Sequence, residues 1–164
     1  GQVHNQITTS VASTYNELDF GNLTAGVPKY AAHRLTVTTN TENGYTISSR
    51  MVSQMTGVYS SNNIDPFIST WGSPTTWTEP TGGTPNDNTG WIGANTTDTD
   101  VSGFSASPQQ KFGPISSTGV VVMEEDGSDS GATSIYVTYG IEANVFQPAD
   151  TYQGKLIYTA LPTY

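Results

Sequence analysis

The chain has no cysteine, and only five of its 164 residues are Lys or Arg. The missing cysteine excludes disulfides, thiolate zinc sites, iron–sulfur clusters and thiol nucleophiles together. It leaves the redox compartment open, because a chain without thiols is stable in either. Five scattered cations against 14 Asp and Glu give a net charge of −9. That balance offers no basic stripe to offset phosphate, so the sequence speaks against a nucleic-acid partner. No apolar run approaches the roughly 18 residues of a spanning helix, so no membrane insertion is expected. Helix formers are also scarce, with five Leu and three Met, whereas Thr (26) and Ser (17) together make up about a quarter of the chain. This composition favours strands and turns, and an all-β domain is expected.

Along the chain, residues 2–15 alternate with period 2: Val3, Ile7 and Val11 share one parity, and Gln2, His4, Gln6 and Thr8 take the other. The pattern predicts one strand with a sparse apolar face. A short strand is expected at 17–23, carrying Leu18 and Phe20. Two longer strands at 33–41 and 45–55 flank Asn43-Gly44, a strong two-residue hairpin signal. From 60 to 114 the alternation breaks down among Pro, Gly, Thr and the three tryptophans Trp71, Trp77 and Trp91. So long a structureless stretch is unusual in a compact domain, and short strands are expected inside it at 64–69, 90–94 and 101–104. Gly119–Glu124 is apolar on both parities and reads as a central strand. Residues 133–146 and 152–160 are expected to pair across a tight turn at Gln147-Pro148-Ala149-Asp150. The whole predicts a two-sheet antiparallel sandwich of jelly-roll type. One domain at 14–164, elaborated over 60–114, would follow an N-terminal arm at 1–13.

Few residues offer chemistry. The histidines, His4 and His33, lie near no nucleophile motif, and the scattered carboxylates form no pattern specific to glycoside hydrolysis, so no catalytic residues are assigned. The acidic turn holding Glu124, Glu125, Asp126 and Asp129 is a candidate calcium loop, with Asp98 and Asp100 as a smaller pair, although neither follows the EF-hand spacing. Solvated turn carboxylates are the plainer alternative. Trp71, Trp77 and Trp91 lie in a segment suited to stacking on sugar rings, or else they pin a long loop by burial. Asn22-Leu23-Thr24 and Asn95-Thr96-Thr97 fit the glycosylation acceptor pattern at Asn22 and Asn95.

The arm carries the sharper expectation. Val3, Ile7 and Val11, four residues apart, suit a strand that lies in its own fold or adds to the sheet of a second copy, with alternate side chains filling pockets. Burying three such aliphatics contributes about 1.5–3 kcal/mol each.

Glu17-Leu18-Asp19-Phe20-Gly21-Asn22-Leu23-Thr24-Ala25-Gly26, followed by a Thr/Val-rich strand and an Asn-Gly turn, resembles the corresponding segment of camelysin/TasA-type biofilm-fibre proteins. The closing Ala149-Asp150-Thr151-Tyr152-Gln153-Gly154 with Tyr158-Thr159-Ala160 is similar to the last strand of many secreted bacterial surface proteins. The resemblance implies a secreted jelly-roll-like sandwich polymerised into extracellular filaments by N-terminal donor strands, with no catalytic residues. The expectation is therefore a cell-surface structural subunit whose partner is itself, with other filaments or surface glycans as further partners. Gly1 then follows a removed signal peptide. A monomeric glycan-binding or adhesin domain is the alternative.

Overall fold

The computed structural model describes residues 1–128 and 131–164, and among them there is no helix. Thirteen strands run in the order β1 (Val3–His4), β2 (Ile7–Thr8), β3 (Lys29–Val37), β4 (Tyr45–Met51), β5 (Met55–Gly57), β6 (Asn63–Pro66), β7 (Thr75–Thr76), β8 (Gly90–Thr96), β9 (Lys111–Pro114), β10 (Val120–Glu125), β11 (Thr133–Ala143), β12 (Tyr152–Gln153) and β13 (Leu156–Pro162). The all-β expectation holds. The strands form three sheets: the β1–β2 pair, a three-stranded sheet β10-β4-β13, and an eight-stranded sheet β12-β5-β6-β8-β11-β3 with β9 on β8 and β7 on β9.

The eight-stranded sheet is covered on both faces around β8, whose seven residues are all buried. Alternation sorts them. Ile92 and Ala94 join Ile135, Val137, Tyr139 and Ile141 of β11 in a cluster shared with Tyr45, Ile47 and Met51 of β4 and with Val122 and Met123 of β10. On the opposite face Trp91 meets Phe67, Phe112 and Ile7, with Tyr30 and Trp77 packed against them. Gly93 and Gly140 are partners across the β8–β11 register. The Trp77 ring rests over that pair, so close that a Cβ on Gly140 would lie 3.0 Å from it and one on Gly93 3.3 Å. Two facing glycines thus make the floor on which the indole sits.

Several local expectations are corrected. Residues 2–15 do not form one strand: Asn5 and Gln6 adopt φ of +46° and +63°, and the chain reverses between β1 and β2. Two consecutive left-handed residues are what a tight hairpin turn demands, and Asn tolerates that conformation better than most residues. Nor does Asn43-Gly44 make a hairpin of β3 with β4. Gly44 does turn the chain at φ +78°, but β3 pairs with β11 while β4 pairs with β10 and β13, so the turn carries the chain between sheets. The 17–23 segment forms only an isolated bridge, Ser13 to Leu18, outside the named strands. Residues 101–104 form no strand, although Val101 and Phe104 are buried. β10 lies at a sheet edge, not the centre. Its apolar residues on both parities accompany a register shift between Val121 and Met123, which turns Val122 and Met123 both inward. The chain from Gln147 leads first to β12, which pairs with β5, and β11 and β13 lie in different sheets.

Candidate functional site

A groove of about 1140 Å³ runs between the 15–25 segment and the 144–158 segment. Met51, Met55, Ile64, Ile92 and Ile141 lie along it, and Leu156 and Tyr158 of β13 contribute one side. β13 is an end strand of its sheet, bonded to β4 on one edge only. Glu17, Asp19 and Asp150 supply three carboxylates to the lining, against Lys155.

At the groove a hydrogen-bonded chain joins the two larger sheets. Ser49 Oγ of β4 lies 3.0 Å from the Tyr139 hydroxyl of β11, which lies 2.7 Å from the Tyr158 hydroxyl of β13. Tyr158 in turn meets His33 Nδ1 of β3 at 3.2 Å. Burial pushes the Tyr139 hydroxyl up to about 12, against the hydrogen bonds from Ser49 and Tyr158, and raises Tyr158 as well. Burial lowers the His33 pKa, opposed by the backbone of Thr14 and Glu17. Both hydroxyls stay protonated at neutral pH and act as a neutral clasp. Composition counts tyrosines but does not reveal that four strands, β3, β4, β11 and β13, bring these side chains together.

The arm lies folded on its own chain. Thr9 N–H donates to Gln2 C=O (2.8 Å), and the N–H groups of Ser10 and Val11 donate to Tyr30 C=O at the β3 edge (2.8 and 3.2 Å). Asn5 Nδ2 donates to Asn95 Oδ1 (3.0 Å) and Thr96 C=O (2.6 Å). The three predicted anchors separate: Ile7 is buried in the second cluster, Val11 packs half-buried against the first, and Val3 is 64% exposed. His4, on the opposite parity, stacks on Tyr136 with ring centroids 3.8 Å apart.

Of the three tryptophans Trp91 is interior, while Trp71 and Trp77 are half-buried. Trp91 is 1% exposed, so no sugar ring reaches its faces. Trp77 stacks on Phe67 at 4.7 Å and donates its N–H to Glu142 Oε2. Trp71 packs on Phe104 and donates to Val121 C=O (2.9 Å). Their arrangement is that of loop pins.

Asn95 is fully buried. Its Nδ2 donates to the C=O groups of Gln109 and Lys111, which leaves no room for a glycan in the folded chain, whereas Asn22 is exposed. In the acidic turn, Asp98 spends its carboxylate on the backbone, accepting from Glu124 N–H and Asp100 N–H at 2.9 Å each. Burial, then the charges of Asp98, Asp126 and Asp100, raise the Glu124 pKa. Among the described residues no three acidic or histidine side chains converge as a metal requires, and Asp129 lies outside those residues. Among the described residues no helix is long and apolar enough to cross a membrane.

Fold and site together define an all-β chain with an unpaired edge strand beside an apolar groove and a short docked arm. No family model, curated protein or solved structure matches the chain.

Proposed function

We propose that the protein is a structural, non-enzymatic subunit of an extracellular filament, in which residues 1–13 of one copy add as a strand to the groove of the next. The observation that carries this reading is the groove itself: an apolar floor lying against a strand edge with free backbone groups is what strand addition uses. The two larger sheets sharing one core are read here as an incomplete sandwich, with the slot between β3 and β13 as the place of the added strand.

Charge and cost both favour exchange. Residues 1–16 contain no carboxylate, whereas the groove carries Glu17, Asp19 and Asp150. In the closed chain the arm buries little apolar surface besides Ile7, and Val3 stays exposed, so a donated arm gains an anchor that the closed form leaves in water. The burial of Trp91 removes one of the three rings from the glycan-binding alternative, and Trp71 and Trp77 are half-buried. Secretion accords with the Thr- and Ser-rich, thiol-free composition.

Electron microscopy and sedimentation of the purified chain test the proposal. Wild type is expected to form filaments. Val3→Asp leaves the closed monomer intact because Val3 is exposed there, yet it places a carboxylate where the donor strand needs an aliphatic. Filament loss in Val3→Asp with an unchanged melting temperature supports the reading. Filaments from a chain lacking residues 1–13, or a wild type that stays monomeric under all conditions, overturn it.

A further inference from the structure

We infer that His4 is an acid-sensitive latch on the arm: protonation of its imidazole undocks the β1–β2 hairpin from β11 and frees residues 1–13 for exchange with a second copy of the chain. The release stands on geometry, while what the freed arm then does rests on the donor-strand reading above.

The His4 ring is 8% exposed and nearly parallel to Tyr136, at 19° and 3.8 Å. Its Nε2 is buried without a hydrogen-bond partner. A neutral imidazole tolerates this by leaving that nitrogen without a proton. The imidazolium carries N–H on both nitrogens, and a buried donor without an acceptor is costly.

β11 carries one carboxyl on the parity of Tyr136, Glu142, six residues further along the strand, where it is bonded to Trp77 instead of His4. β11 presents Tyr136 itself, and Arg34 of β3 faces Tyr136 across the register. β8 meets the hairpin through neutral Asn95 and Thr96, and β9 brings Lys111 next to Gln110, whose side chain bonds Gln6 C=O. The hairpin's own charge is the Gly1 amino group. Burial alone depresses the His4 pKa.

The sign follows. Docking favours the neutral ring, so the arm is held fully above the ordinary histidine value of about 6.5. Docking weakens as pH falls through that value and levels off below the docked pKa. His4 and Ile7 are the arm's two buried side chains, and hydrogen bonds at Asn5, Gln6, Ser10 and Val11 hold the hairpin beside them.

Backbone amide exchange at Thr9, Ser10 and Val11, corrected for intrinsic rates, tests the latch at about pH 7.5 and about pH 5.5. Wild-type protection should fall on acidification by up to about tenfold, the limit set by the one unit between the free histidine value of about 6.5 and about pH 5.5. His4→Phe keeps the stack without a titrating group and should show equal protection at both pH values. Unchanged wild-type protection, or an equal loss in His4→Phe, overturns the latch. Titration of the His4 ring by NMR in the wild-type protein gives an independent reading, and a midpoint at or above about 6.5 also overturns it. Sedimentation separates the two ideas. Acid release of the arm with no filaments at any pH removes the donor-strand reading and keeps the latch. Filaments that form equally at both pH values in wild type and His4→Phe remove the latch and keep that reading.

Discussion

Glu142 has no exposed surface, and its two oxygens are unequally served: Oε2 accepts the Trp77 indole N–H, while Oε1 has no hydrogen-bond partner. Burial raises its pKa, with Glu79 adding to the rise and the Trp77 bond opposing it. A carboxyl held above its unfolded value stabilises the fold most below that value, and the contribution is lost as pH rises through the folded pKa. Wild type should therefore lose stability as pH rises above the ordinary carboxyl value of 4.5, by about 1.4 kcal/mol for each unit by which folding raises the Glu142 pKa. Glu142→Gln retains an acceptor for Trp77 and should flatten that slope, read from urea denaturation at a series of pH values. Asn95 gives a second expectation at this scale. Expression in a glycosylating host should place glycan at Asn22 and none at Asn95, as mass spectrometry of the folded protein will report. Asn95→Asp, which removes the donors to Gln109 and Lys111, should cost about 1–3 kcal/mol. Both acceptor patterns read alike in the sequence. Burial of one came from β8 being covered on both faces, a tertiary fact without a local signature.

The turns decide which strands meet. A Cβ on Gly44 would lie 1.6 Å from the Glu125 C=O, and its φ of +78° is one that side chains disfavour, so Gly44→Ala should destabilise by about 3 kcal/mol or more in chemical denaturation. Gln6, by contrast, bears a left-handed φ that glycine adopts freely, and Gln6→Gly should tighten the β1–β2 hairpin by about 0.5–1 kcal/mol, seen as slower amide exchange in the arm. The turn at Asn43-Gly44 was readable from two residues, but its role was not. Local chemistry specifies that the chain bends, while the choice of partner belongs to β10, β11 and β13, which lie far along the chain. The same limit applies to the groove: Met51, Met55 and Ile64 were visible as apolar residues, and only the path of 144–158 makes them a floor. The period of two over 133–146 puts Ile135, Val137, Tyr139, Ile141 and Ala143 on one face, and these are buried in β11, whereas Val145 on the same parity lies past the strand end and is 78% exposed.

Taken whole, the chain carries a net charge of −9 with a sequence isoelectric point near 4.2, so copies repel one another at neutral pH. Raising the salt from about 10 mM to about 150 mM shortens the screening length from about 30 Å to about 8 Å and should promote self-association, read by sedimentation. Acid also reduces the repulsion for every variant alike, which is why His4→Phe is the needed control for the latch. The β1–β2 hairpin has a mechanical meaning too. A pull on the first residue opens its two register pairs one after the other, as a zip opens, whereas β3 behind it is tied to β11 by nine pairs that share the load. A chain pulled at its amino end therefore yields in the first few residues while the main body holds its shape, so the hairpin gives way ahead of the core.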